Sequence, residues 1–184
     1  MIRDLLLKNR SYRSFDSSVS VSKETLVSFV DNVRYTPSTR NAQGLRFRLC
    51  YEKAECDKVL ALTKWAGALT DRRFPPTGHE PTAYIVICAE QDIFTRDVGI
   101  AAQTIMLSAA EMELGGCMIG SFDAEKISTL LNIPPEKKPR LILALGKPDE
   151  TVIIEDAVDG KLTYYRDEND VHHVPKMKTE DMIL

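Results

Sequence analysis

The chain has 184 residues, 43% hydrophobic and 28% charged, which fits one domain with room for a sizeable core. Its formal net charge of −3 argues against a broad nucleic-acid-binding surface, and Arg46/Arg48 and Arg72-Arg73 read as solvated surface charge. The Leu5-Leu6-Leu7 run is too short for a secretory signal, and the longest aliphatic run, Ala83 to Ala89, is far below membrane-spanning length, so a soluble, cytoplasmic protein is expected.

A short helix precedes Arg10. Ser22 is placed to cap a second helix, whose Leu26, Phe29, Val30 and Val33 fall at i, i+3, i+4 and i+7 on one apolar face ending near Arg34. Pro37 stops that helix and opens a polar loop to Gly44. Residues 46–52 alternate, with Phe47, Leu49 and Tyr51 on one face, as a strand does. A short helix is expected over residues 55–63. Residues 65–81 carry Gly67, Pro75, Pro76, Gly78 and Pro81, the composition of a long loop, and such loops often act as lids or binding segments.

Residues 83–89 lack polar alternation, as a central strand covered on both faces would. A long helix follows from about Asp97 to Leu114, apolar around nearly its whole circumference. Either ordinary core or a second subunit accounts for that surface. Gly115-Gly116 are expected to cap its C-terminus. Asp123 is placed to cap a helix through Leu131, and residues 140–145 form another apolar strand closed by Gly146 and Pro148. Residues 152–154 and 161–166 read as strands. A turn at 167–170 then returns the chain along residues 171–174 as a hairpin arm, and Thr179 is placed to cap a last short helix. The whole, residues 1–184, reads as a single α+β domain.

Cys50, Cys56, Cys88 and Cys117 show neither C-x-x-C spacing nor a paired histidine, so no metal site is expected and the thiols read as free. Cys117, in the glycine segment, is placed to line a pocket, but no adjacent base is evident to make it a nucleophile. His79, His172 and His173 read as solvated or hairpin-pairing rather than as metal ligands or acid–base groups. Three distant segments stand out. Arg10-Ser11-Tyr12-Arg13 offers two guanidinium forks and a hydroxyl, which suit a phosphate, although two exposed arginines after a helix would look the same. Residues 37–43, Pro-Ser-Thr-Arg-Asn-Ala-Gln, present short polar side chains. Residues 114–120, Leu-Gly-Gly-Cys-Met-Ile-Gly, allow close approach of backbone to a ligand.

In this order and spacing the segments resemble the nitroreductase family of flavin-mononucleotide (FMN) enzymes. That family carries an Arg-Ser-x-Arg element after its first helix and then a Pro-Ser-x-x-Asn-x-Gln loop. Residues 99–122 resemble its central helix and flavin-facing strand, and residues 146–150 are similar to its closing Gly-x-Pro-x-Glu element. The resemblance implies that Arg10, Ser11 and Arg13 contact the FMN phosphate and ribityl chain. Pro37, Ser38, Thr39 and Asn41 then match the loop that reaches the partner subunit's flavin, with Gln43 matching it too or only pinning the loop. Ile119 and Gly120 are implied to set their backbone amides near the reactive ring nitrogen. Arg166 or Lys147, with Arg166 favoured, is implied to complete the phosphate cradle. Two departures are visible: Gln43-Gly44-Leu45 stands where many relatives have Gln-Pro-Trp, and residues 65–81 are shorter than the helical excursion of larger relatives.

The implied architecture is a central mixed or antiparallel sheet flanked by helices, a nitroreductase-like α/β/α sandwich, in an intertwined homodimer with FMN at each interface. The implied activity passes hydride from NADH or NADPH through FMN to a small-molecule electron acceptor such as a nitroaromatic or quinone. No catalytic side chain is needed, because the flavin carries the chemistry. No metal, nucleic-acid or membrane partner is implied. The alternatives are a same-fold flavin enzyme with flavin-consuming or dehalogenating chemistry, and a non-catalytic flavin-binding module.

Overall fold

The structure, a computed structural model, describes residues 1–69 and 72–184. Its centre is a five-stranded sheet in which every pairing is antiparallel. The elements run α1 (Ile2–Lys8), β1 (Phe15–Asp16), α2 (Lys23–Val33), β2 (Leu45–Cys50), α3 (Lys53–Leu60), β3 (Ala83–Ala89), α4 (Thr95–Glu111), β4 (Gly115–Ile119), α5 (Ala124–Leu130) and β5 (Lys138–Pro148). β5 is the hub. It pairs β3 from Leu145↔Ala83 onward, β4 from Gly146↔Gly115 to Ile142↔Ile119, and β1 at Pro148↔Phe15. β2 closes the far edge against β3.

Period-2 alternation sorts the strand residues into two cores. Ile85, Ile87, Leu143 and Leu145 face α2 and α4, where they meet Leu26, Phe29, Ala102 and Ile105. Tyr84, Val86, Ile142 and Ala144 face α3 and α5, where they meet Val59 and Ile127. The unalternated run 83–89 is fully buried, as expected of a strand covered twice. At about 1.5–3 kcal/mol for each large apolar side chain removed from water, these two layers supply the main favourable contribution to folding.

The predicted caps hold at two helices. Ser22 Oγ accepts the Thr25 N–H at 3.2 Å, and Asp123 Oδ1 accepts the Lys126 N–H at 3.0 Å. The end of α4 differs from expectation. Glu113, at φ 57°, takes the left-handed position, and the Leu114 N–H returns to the Ala109 carbonyl at 2.9 Å, so the cap closes before the glycines. Gly115 and Gly116 instead open β4. A Cβ on Gly116 would lie 2.0 Å from the Ala144 carbonyl oxygen, so close strand approach is what excludes a side chain there.

Beyond β5 the chain forms a second, three-stranded sheet from β6 (Val152–Asp156), β7 (Tyr165–Arg166) and β8 (His172–Lys176). β7 and β8 make the expected antiparallel hairpin, while β6 joins β8 in parallel from Val152↔His172. The expected strand over 161–166 shrinks to its last two residues, and the last helix is a 3-10 turn, Thr179–Met182, capped by no side chain. Residues 61–82 carry no helix or strand among those described, in line with the loop reading, and Phe74 is buried within them. No helix among the described residues is long and apolar enough to cross a membrane.

Candidate functional site

The Arg10–Arg13 segment is held along the outer edge of β4. Ser11 bridges Gly116 in the parallel sense, and the Tyr12 N–H donates to the Gly116 carbonyl at 2.9 Å. A buried carboxylate fixes the next residues. Glu150 Oε1 accepts the backbone N–H groups of Arg13 and, at 3.2 Å, Ser14, while its Oε2 takes the Arg166 guanidinium. Arg10 donates to the Leu6 carbonyl, and burial pulls its pKa below the ordinary arginine value. Arg13 is 9% exposed, donates to the Ser11 carbonyl at 3.2 Å and lies 4.9 Å from the centre of the Tyr164 ring. The Nε atoms of both arginines are buried with no partner among the described residues.

These residues wall a cavity of ≈ 350 Å³, within the roughly 300–1,000 Å³ usual for small-molecule sites. Its lining takes Arg10, Ser11 and Arg13 from the N-terminal segment, Gln103 and Met106 from α4, and Met118 from β4. The C-terminal region closes the other side with Tyr164, just before β7, and with His172 and Lys176 of β8. Three cations and no carboxylate line it among the described residues, in a chain of net charge −3. That arrangement is electrostatically suited to an anion rather than a cation.

The 37–43 loop sits at the N-terminal end of α4. Asp97, in the first turn of that helix and 4% exposed, accepts the Thr39 N–H at 2.9 Å and the Thr39 hydroxyl at 2.7 Å. Ser38 Oγ accepts the Gln43 N–H at 2.9 Å. Arg40, Asn41 and Gln43 all have positive φ, at 53°, 54° and 49°. Held left-handed conformations in non-glycine residues cost roughly 1 kcal/mol or more each, so the loop needs such ties. Pro37, Ser38, Asn41 and Gln43 line a second cavity of ≈ 500 Å³ with Val33, Arg34 and Asp97. Asp97 to Gln103 and Met106 is six to nine residues of helix, roughly 9–14 Å at 1.5 Å per residue, so within one chain the loop and the arginines serve separate cavities. Gly44 answers the first departure from the family pattern, because a Cβ there would meet the Phe94 ring at 2.4 Å.

Ile119 turns its side chain into the core beside Ile142 and Ile127, leaving only its backbone for a ligand. Gly120 follows at the exposed strand end, where an added Cβ would touch no atom of this chain. Arg166 and Lys147 both lie outside the arginine cavity. Arg166 is spent on Glu150, on the Asp170 carbonyl at 2.9 Å and on the Phe74 ring at 5.0 Å, and Lys147 reaches the Glu113 carbonyl at 3.0 Å. The basic residue that the C-terminal region does supply to the cavity is Lys176, which the sequence reading did not single out.

Asp97, Glu150 and His172 also acquire roles only through contacts far along the chain. His172 pairs across the hairpin, opposite Arg166, but it is buried rather than solvated. It is 1% exposed with both ring nitrogens unpartnered, whereas His173 pairs Glu155 at 3.0 Å and His79 pairs Asp149 at 2.7 Å. The four thiols are free and buried, and burial pushes all four upward in pKa, Cys88 to about 11. Cys117 joins the core cluster with Ile119 rather than the cavity wall. None of the thiols is a nucleophile at neutral pH.

An α/β/α sandwich with an arginine-walled cavity beside its glycine-led strand specifies a fold and a pocket rather than one reaction. The model of the nitroreductase family matches residues 6–147, and the chain belongs to that family. Among solved structures, a nitroreductase family protein from Streptococcus pneumoniae TIGR4 superposes with a TM-score of 0.71 at 14% identity, covering 86% of this chain and 96% of that one. A nitroreductase family protein from Clostridium novyi NT gives 0.68 at 17% identity, covering 98% of both chains. An FMN-dependent nitroreductase from Clostridium difficile R20291 gives 0.66 at 24% identity, covering 87% of this chain and 92% of that one. At these identities the likeness is one of fold.

Proposed function

We propose that this chain is an FMN-dependent oxidoreductase that works as a homodimer, each flavin held by the arginine cavity of one copy and the 37–43 loop of the other. One observation carries the reading: a cavity walled by Arg10, Arg13 and Lys176, free of carboxylates, with the buried Nε of both arginines unpartnered. A phosphate monoester supplies the acceptors those donors lack. Arg10, Ser11, Arg13 and Lys176 would hold the phosphate end. The backbone of Ile119 and Gly120 would face the ring system, where Gly120 leaves room for it. Pro37, Ser38, Thr39, Asn41 and Gln43 would come from the second copy.

When bound, FMN supplies the redox chemistry, accepting a hydride from NADH or NADPH and delivering it to a small acceptor such as a nitroaromatic or a quinone. The chain's own part is binding and orientation. Glu150 clamps the Arg13–Ser14 backbone so that the guanidinium need not search for its place. Tyr164 covers one face of Arg13 and shields it from water, strengthening its attraction for an anion. Asp97 holds the loop in a conformation its own sequence disfavours.

The test is flavin content after purification and the response to reduced nucleotide. The expected result is bound FMN that is bleached anaerobically by NADH or NADPH and recoloured by a quinone or nitroaromatic. Arg10→Ala with Arg13→Ala should weaken FMN binding by several kcal/mol, at about 1.5–3 kcal/mol for each charge-assisted contact. Bound flavin that neither nucleotide reduces would leave a passive binder or a different flavin chemistry. A wild-type protein with no affinity for FMN would end the reading.

A further inference from the structure

Seven buried side-chain nitrogen or oxygen atoms among the described residues lack a hydrogen-bond partner, and four of them belong to residues lining one cavity: Arg10 Nε, Arg13 Nε and both nitrogens of His172. Buried polar atoms without partners are costly, and their gathering at one place marks a site that a ligand completes. Two of the three side chains are cations. The third lies on β8, in the region beyond the family match at residue 147.

His172 is held rigidly. Its ring meets Tyr164 edge-on with centroids 5.4 Å apart, and the ring is 1% exposed. The charged and titratable groups facing it are Arg13 from the N-terminal segment, Arg166 from β7, Glu150 from the turn after β5, Asp170 from the hairpin turn, and its neighbour His173. Among the described residues, Glu150 is the one carboxylate within 4.0 Å of a ring nitrogen. It stands 4.0 Å from Nδ1, too far for a hydrogen bond, and its oxygens already serve Arg13, Ser14 and Arg166. Burial first, then Arg13 and Arg166, push the imidazole down to about 4, so at neutral pH it is uncharged and carries one N–H. Neither nitrogen has a hydrogen-bond partner among the described residues, so the proton can sit on whichever one meets an acceptor.

We propose that His172 is a further phosphate ligand beside Arg10, Ser11, Arg13 and Lys176, donating a ring N–H to the phosphate of the bound flavin nucleotide, so that the second sheet helps select the phosphorylated ligand. The proposal rests on the flavin reading above and deepens it. A neutral donor suits this position, because Arg10, Arg13 and Lys176 already supply charge and a fourth full cation would repel them. The imidazole adds direction rather than charge.

The experiment compares FMN and riboflavin, which differ by the phosphate alone, by quenching of flavin fluorescence with the wild-type chain, His172→Phe and His172→Gln. The phenyl ring keeps the packing against Tyr164 and removes both nitrogens. The expected result is an approximately tenfold or greater loss of FMN affinity in His172→Phe, the size of one charge-assisted hydrogen bond. Riboflavin affinity should be unchanged, recovery partial in His172→Gln, and competition by inorganic phosphate weaker in the phenylalanine variant. If His172→Phe fails to fold, nitrogen NMR of the wild-type imidazoles decides, since the chain has only 3 histidines. The His172 resonances should move on adding FMN and stay in place on adding riboflavin. Equal loss of both flavins, no loss of either, or resonances indifferent to FMN would overturn the proposal. A wild-type chain that binds neither flavin would instead overturn the flavin reading beneath it.

Discussion

Tyr84 lies near the start of β3, 0% exposed, with a hydroxyl that finds no partner among the described residues and a pKa that burial drives upward. A phenol oxygen removed from water without a hydrogen bond costs about 1–3 kcal/mol, so Tyr84→Phe should be neutral or raise stability, by up to about 1 kcal/mol. Thermal melting measures this, and a clear loss of stability would mean the hydroxyl has a partner. His172 and His173 make opposite contributions. His172 is buried uncharged, down at about 4 against an ordinary 6.5. Between those values the unfolded chain binds a proton that the folded chain refuses, so stability is full above 6.5 and falls as pH drops toward 4. His173 is raised above 6.5, first by its hydrogen bond to Glu155 and also by Asp167. Its contribution is full below 6.5 and fades as pH rises through its folded value. Melting temperatures of His172→Phe and His173→Gln across pH 4 to 9 should therefore lose opposite limbs of the wild-type profile. Two variants with the wild-type shape would refute both assignments.

At the scale of elements, α4 organises the site. Its first turn holds the loop through Asp97, and its middle lines the arginine cavity through Gln103 and Met106. The two Asp97 bonds to Thr39, at about 1.5–3 kcal/mol each for a charged acceptor, offset the strain of three left-handed residues. Asp97→Ala should destabilise the fold by about 2–4 kcal/mol and speed hydrogen exchange at the Thr39 amide, leaving amides of α2 protected. Unchanged exchange at Thr39 would show that the loop stands without the tie. Most elements could be read locally: the periodicity at Leu26, Phe29 and Val33, the caps Ser22 and Asp123, and the unbroken run from Ala83 to Ala89. The partners of the site residues were not local. Asp97 meets Thr39 across 58 residues and Glu150 meets Arg13 across 137, and neither separation leaves a periodic trace. Lys176 and His172 were hidden for the same reason, since β8 reaches the cavity only because β6 pairs with it in parallel. The helix end at Glu113 was misplaced because adjacent glycines suggest a cap, whereas sheet contact was the stronger constraint on them.

At the scale of the whole molecule, one face is left uncovered. α1 packs on α4, yet none of its residues is buried, and Ile2, Leu6 and Leu7 remain 63%, 42% and 53% exposed. Ile100 on α4 is 38% exposed and Met118, beside the arginine cavity, 39%. Apolar side chains held this way on neighbouring elements would suit the interface of the proposed homodimer. The proposed site leads to the same arrangement. The loop and the arginines, both matched to the flavin by family resemblance, occupy different cavities of one chain, and a second copy is the economical way to bring them to one ligand. Ile100→Asp with Leu6→Asp should therefore give a monomer by sedimentation while circular dichroism remains that of a folded chain. FMN occupancy should fall with it, because the partner's loop would be lost although every phosphate contact stayed intact. An aspartate variant that sediments as a monomer and still retains full FMN would place the entire site within one chain, and the 37–43 loop would then need another purpose for its strained backbone.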